Sequence, residues 1–163
     1  MLTITPRIET VKEKRLIGKR AKMSFAYDTT FQLWKSFMPR RKEIRHKDGK
    51  ELYSVKVYDR FYFYDFNPNT VFDKWAAVEV EVYNGVPKNM ERFILTGGEY
   101  AVFEYKGLDT DHTIFEYIFN EWLPNSEYIL DDRPHFEILG AKYNTNSPDS
   151  EEEICIPVKK KEY

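Results

Sequence analysis

Two stretches of this chain share one signature, an apolar helical stripe cut off by proline. In the first, Phe31, Leu33, Trp34, Phe37 and Met38 precede Pro39. In the second, Ile114, Phe115, Ile118, Phe119, Trp122 and Leu123 precede Pro124. Steps of one, three and four residues put such side chains on one face of a helix. Proline then ends the helix, because it lacks the N–H that continues the ladder. Sliding the chain by 85 residues lays Trp34, Phe37, Met38 and Pro39 on Phe119, Trp122, Leu123 and Pro124, and Leu16-Ile17 on Ala101-Val102. A repeat of that size constrains the fold more than any composition does.

Each half reads strand, helix, strand, strand. Residues 7–21 alternate loosely and read as a strand with a charged outer side, and Thr29-x-x-Gln32 has the form of a capping box before the first helix. Residues 53–64 (YSVKVYDRFYFY) read as a second strand with a break near Asp59-Arg60. Residues 75–83 (WAAVEVEVY) alternate most cleanly, with Val78, Val80 and Val82 on one face and Ala77, Glu79, Glu81 and Tyr83 on the other. Residues 92–106 read as strand interrupted at Gly97-Gly98, where a bend is expected. After the second helix, a polar turn at Asp131, Asp132 and Arg133 leads through Pro134 into a strand that sets His135, Glu137 and Leu139 on one face. A loop is expected over residues 144–150, then a last strand over residues 151–158 and a frayed lysine tail, Lys159 to Lys161.

One βαββ half leaves a sheet face uncovered, and joining two halves buries it. The expected fold is therefore α+β. It is one domain over residues 1–163, made of two βαββ modules (about 7–83 and 92–158) related by a pseudo-dyad, with antiparallel sheets, two main helices and a central groove. A chain of 163 residues can bury roughly 70% of its unfolded surface, so such a core is affordable without disulfide or metal.

Composition narrows the function. Net charge is −2, so no global field favours nucleic acid. The basic cluster of Arg40, Arg41, Lys42, Arg45, His46 and Lys47 has no glycine-rich cradle and reads as a solvated loop. Cys155 is the single cysteine and cannot form an intramolecular disulfide; with three glutamates upstream it lacks the setting of a nucleophile. His46, His112 and His135 lack metal-ligand spacing, so no metal and no cofactor are expected. No secretory signal and no apolar run of membrane-spanning length is present, which makes a cytoplasmic location the expectation. Aromatic residues, at 17%, are abundant enough to wall a pocket as well as fill a core.

The second half resembles a known family. Gly97-Gly98-x-Tyr100-Ala101-Val102, Tyr105-Lys106-Gly107, Trp122-Leu123-Pro124-x-Ser126-x-Tyr128, Pro134-x-Phe136-Glu137-Ile138 and Ile154-x-Ile156-Pro157-Val158 together are similar to the GyrI-like, AraC-type effector-binding domains. In the first half Leu16-Ile17-Gly18, Val57-Tyr58-Asp59 and Trp75-Ala76-Ala77-Val78 resemble the corresponding strands. The resemblance implies a groove that binds hydrophobic, often cationic, small molecules between aromatic rings, with a buried glutamate as counter-charge. It places that glutamate on Glu137 and the helix-end tryptophan on Trp122. The closing-strand positions fall on Ile154 and Ile156, where some members carry tyrosine.

A carboxylate among aromatic rings attracts a lipophilic cation, since ring faces and the anion both favour positive charge. The alternative is that Glu137 lies on a wet face or pairs with Arg133 or His135. Trp122 ends an apolar stripe and is core first, pocket wall second; Trp34 and Phe37 occupy the equivalent places in the first half. Tyr58, Tyr62, Tyr64 and Tyr100 are further groove aromatics whose faces the pattern leaves open. Three functions remain open at this point. The first is a non-enzymatic binding module for a hydrophobic or cationic small molecule, acting as sensor, regulator or sequestering protein. The second is a hydrolase of strained-ring molecules with Glu137 as general base, favoured if Glu79, Glu81 or Tyr64 also faced the groove. The third is a module that holds a protein partner, or a second copy as a homodimer. Direct contact with nucleic acid or membrane is not expected.

Overall fold

The computed structural model describes residues 4–106, 113–140 and 151–162. The expected loop over 144–150, His112 and the lead into the second helix at 109–112 lie outside the described residues. Among the described residues, nine strands and the leading turns of two helices follow in the order β1 (Arg7–Val11), β2 (Lys14–Met23), α1 (Thr30–Phe37), β3 (Leu52–Val57), β4 (Phe72–Val80), β5 (Glu91–Leu95), β6 (Gly98–Lys106), α2 (Thr113–Tyr117), β7 (Tyr128–Leu130), β8 (His135–Leu139) and β9 (Glu151–Lys160).

The strands form one antiparallel sheet in the order β1-β6-β9-β8-β3-β4-β2-β5, with β7 attached to β9. The order is a palindrome in modules. The first module supplies β3-β4-β2 and the second β8-β9-β6, joined at the β3–β8 seam. Each module's leading arm crosses over: β1 pairs with β6 of the second module, and β5 with β2 of the first. The crossing is tight at Gly97, where an added Cβ would lie 2.6 Å from the carbonyl oxygen of Val11 and 2.8 Å from the amide nitrogen of Glu13. Any side chain there would force the two arms apart. Residues 7–21, expected as a single strand, are thus two, because the arm and the module strand belong to opposite halves.

Cross-strand partners share a sheet face. On one face Leu16, Tyr53, Val55, Trp75, Tyr100, Val102 and Phe136 form a core that the arms complete with Val11, Phe93 and Leu95. The other face carries two clusters. Ile17, Ala76, Val78 and Val80 pack under Leu33 and Phe37 of α1. Ala101, Phe103, Ile154 and Ile156 pack under Ile114 and Ile118. The valine face read from residues 75–83 is the one that meets α1.

Both helices end as the prolines dictate, with local differences. Thr29 makes no side-chain cap; the Asp28 carboxylate accepts the Thr30 N–H at 2.9 Å instead, so an aspartate one residue earlier does the capping. Pro39 sits in the first turn of a 3₁₀ segment, Met38–Glu43, where its missing N–H is harmless. The second helix loosens into a π turn, Ile118–Trp122, in which the Leu123 N–H donates to the Ile118 carbonyl, before a last turn at Leu123–Asn125. The lysine tail is ordered rather than frayed: Lys159 and Lys160 pair with Ile129 and Tyr128 of β7, a strand too short to read from pattern.

Candidate functional site

The space between α1 and α2 lies over the β3–β8 seam, where the pseudo-dyad passes. Ser54 faces Glu137 there, and Lys56 faces His135. On the far side of β3, Lys74 of β4 is registered with Lys56. The first module therefore sets a serine opposite the second module's glutamate, and Glu51 is exposed and apart from the groove. Polar groups on this stretch of sheet are largely covered, with the Lys56 and Glu137 side chains keeping 19% and 16% exposure. They are roofed by Phe115 and Phe119 and by the segment between β3 and β4.

That segment is the main departure from the sequence reading. Residues 58–64, expected to continue the strand, fold into consecutive turns: the Tyr62 N–H donates to the Asp59 carbonyl at 2.9 Å and the Tyr64 N–H to the Phe61 carbonyl at 3.1 Å. The turns aim Tyr58, Tyr62 and Phe63 inward. Phe63 stacks on Phe119 with ring centroids 5.3 Å apart and on His135 at 5.4 Å, and Tyr58 meets His135 edge-on at 5.0 Å. Burying these rings over the groove stabilises the turns more than extending an exposed aromatic strand would. Phe61, Tyr64 and Phe66 point outward, and Tyr64 is 80% exposed.

Beneath the roof, Glu137 and Lys56 form an ion pair, with Lys56 Nζ 3.4 Å from Glu137 Oε1. The same ammonium lies 4.5 Å from the centroid of Phe115. Burial disfavours the charged carboxylate, but Lys56, a hydrogen bond with Glu152 and Lys74 together outweigh it, so Glu137 is held below the usual carboxylate range and stays ionised. Burial likewise opposes charge on Lys56; Tyr58 and Glu137 reverse it and hold the ammonium charged. Lys74 donates to the Thr30 hydroxyl at 2.9 Å and is brought down to about 8, by burial first and then by Lys56. His135 is brought down to about 3 by burial, Lys56 and Arg133, so it is a neutral ring beneath the roof. A small cavity of about 20 Å³ remains, bounded by Ser54, Lys56, Tyr58, Phe119, Glu137 and Ile156 among others. It would hold about one water.

The residues singled out from sequence divide in space. Glu137, Tyr58 and Ile156 bound this cavity, and Ile154 lies beside them. Trp122 packs edge-on against Phe103 at 5.2 Å and stacks on Tyr128 at 6.4 Å, on the core side of its helix. Phe37 is fully buried under α1, and Trp34 packs beside it at 5.8 Å. Tyr100 is buried on the opposite face, where its hydroxyl donates to the carbonyls of Thr96 (3.0 Å) and Pro134 (3.1 Å) and its ring carries the Arg133 guanidinium. Tyr64 stands in solvent. None of Glu79, Glu81 and Tyr64 lines the cavity: Glu79 accepts from the Tyr53 hydroxyl at 3.1 Å in an open basin of about 770 Å³ on the other sheet face, and Glu81 is exposed. Sequence reasoning missed Lys56, Phe115, Phe119, Phe63 and His135 as groove residues. A signal existed for Lys56, which shares the Ser54 face of a strand next to the glutamate strand.

Comparison with known proteins agrees with this architecture. Residues 4–159 match the GyrI-like small molecule binding domain. An 81-residue stretch, 49% of this chain, is 37% identical to the transcriptional regulator BrlR of Pseudomonas aeruginosa, and it spans 27% of that regulator's length. Among solved structures, SAV2435 bound to tetraphenylphosphonium has a similar fold, with a TM-score of 0.68, 15% identity, and 96% of this chain and 94% of the other covered. The EcmrR C-terminal domain is similar at a TM-score of 0.71 and 14% identity, covering 98% of this chain and all of the other. The strand palindrome, the two roofing helices and the whole-length match lead to one assignment: the chain belongs to the family of GyrI-like small molecule binding domains.

Proposed function

We propose that the groove over the β3–β8 seam binds hydrophobic small molecules, aromatic cations foremost, with Glu137 as counter-ion and Tyr58, Phe63, Phe115, Phe119 and Ile156 as walls. One observation carries this reading: an ammonium already rests in the groove between a charged carboxylate and an aromatic face, since Lys56 lies 3.4 Å from Glu137 and 4.5 Å from the Phe115 centroid. Ion pairing and cation–π attraction in a dry groove are the interactions that recognise a lipophilic cation. Tetraphenylphosphonium in SAV2435 and the regulatory role of BrlR support a ligand-sensing or sequestering function.

Titration of tetraphenylphosphonium by intrinsic tryptophan and tyrosine fluorescence tests the assignment. Glu137→Gln is expected to weaken binding by about 10- to 100-fold, the worth of a charge-assisted contact of about 1.5–3 kcal/mol. Equal affinity in both proteins would remove Glu137 as the counter-ion.

A further inference from the structure

We infer that Lys56 is a built-in competitor for the ligand's cation, and hence the residue that sets how strongly, and for which charge, this groove selects. The inference rests on the groove reading above. A cation entering between Phe115 and Glu137 would meet an ammonium already there. A second cation against the same carboxylate would be repelled by the ammonium already there, which favours an exchange in which the ligand enters and Lys56 swings aside.

The surroundings make the exchange feasible. Lys56 carries its ammonium on a flexible four-carbon stem, which lets it swing. Glu152 stands on the neighbouring strand β9, opposite Leu139, and acts electrostatically on Lys56, which gives the displaced ammonium a second acidic side chain to move toward. Leaving it unpaired would instead cost several kcal/mol. Lys74, registered beside Lys56 on β4, adds a second positive group that disfavours a further cation. A neutral aromatic ligand needs no exchange. The competitor therefore compresses the preference for cations over neutral molecules of the same shape, and removing it should widen that preference.

The test uses two probes of matched shape, tetraphenylphosphonium and the neutral triphenylphosphine oxide, titrated by calorimetry against the wild type, Lys56→Met and Lys56→Arg. Lys56→Met is expected to bind tetraphenylphosphonium about tenfold or more tighter than wild type, equivalent to one ion pair's difference. Its affinity for triphenylphosphine oxide is expected to stay within about twofold of wild type, and Lys56→Arg, which keeps a competitor of the same charge, should stay near wild type for both. A folded Lys56→Met that binds the oxide normally but tetraphenylphosphonium no tighter than wild type overturns the competitor role while leaving the groove assignment intact. Should neither probe bind wild type or either variant, the groove assignment itself falls, and the competitor with it.

Discussion

Gly18→Ala is expected to destabilise the protein by about 3–5 kcal/mol, a large part of the stability a domain of this size has. Gly18 lies in β2 between Ala77 of β4 and Glu91 of β5. A Cβ built on it would come 2.1 Å from the Ala76 carbonyl oxygen and 2.6 Å from the Ala77 Cβ. Two of its three nearest atoms are backbone and the third is a short methyl, so no flexible side chain can move aside. The strands would have to separate where they hold Ile17, Ala76 and Val78 against α1. Urea unfolding followed by far-UV circular dichroism measures the loss; a midpoint within error of wild type would show that β2 and β4 can part there without penalty.

The second large effect is on acid stability. In the unfolded chain His135 titrates near its ordinary value of 6.5, whereas in the fold it is brought down to about 3. Between those values the unfolded chain takes up a proton that the native ring refuses. Stability contributed by the neutral ring is therefore complete above about pH 6.5 and falls as pH drops toward about 3. The slope is about 1.4 kcal/mol per pH unit, so about 2 kcal/mol is lost by pH 5, before ordinary carboxylates titrate. The charged groups acting on the ring are Lys56 and Arg133, both cationic, and burial exceeds either. His135→Phe, which can keep the stack with Phe63, should remove most of the drop in urea midpoint between pH 7 and pH 5. An unchanged drop would place the proton elsewhere.

Much of the architecture was legible because it repeats. Apolar stripes ending at Pro39 and Pro124 located both helices, and the alternation from Trp75 to Val80 gave the faces of β4 correctly. The arms escaped because β1 and β2 are nearly contiguous in sequence yet pair with opposite modules, a property of long-range pairing that a local pattern does not carry. At the site, Glu137 was conspicuous as an acid among aromatics. Lys56 was not, since a lysine alternating with Tyr53, Val55 and Val57 has the look of a wet strand face. That face is covered in the fold by a segment whose own residues, Tyr58 to Tyr64, are as aromatic as a buried strand. Periodicity cannot tell rings that extend from rings that fold back. Arg133 lies in the polar turn that the pattern gives, and its guanidinium is largely covered, 4.7 Å from the Tyr100 centroid and donating to the carbonyls of Glu99 and Val158.

The exchanged arms bear on how the molecule could be taken apart. A cut between residues 84 and 90 would give two fragments, each keeping a strand that completes the other's sheet. Each fragment alone would display unsatisfied edges on both sides of its three module strands, and the partner fragment is the shape that fits them. Ser54 and Glu137 would sit on separate pieces and meet when those pieces join. Binding at the seam would thus report reassembly, and this domain could serve as a split reporter whose signal is the ligand itself.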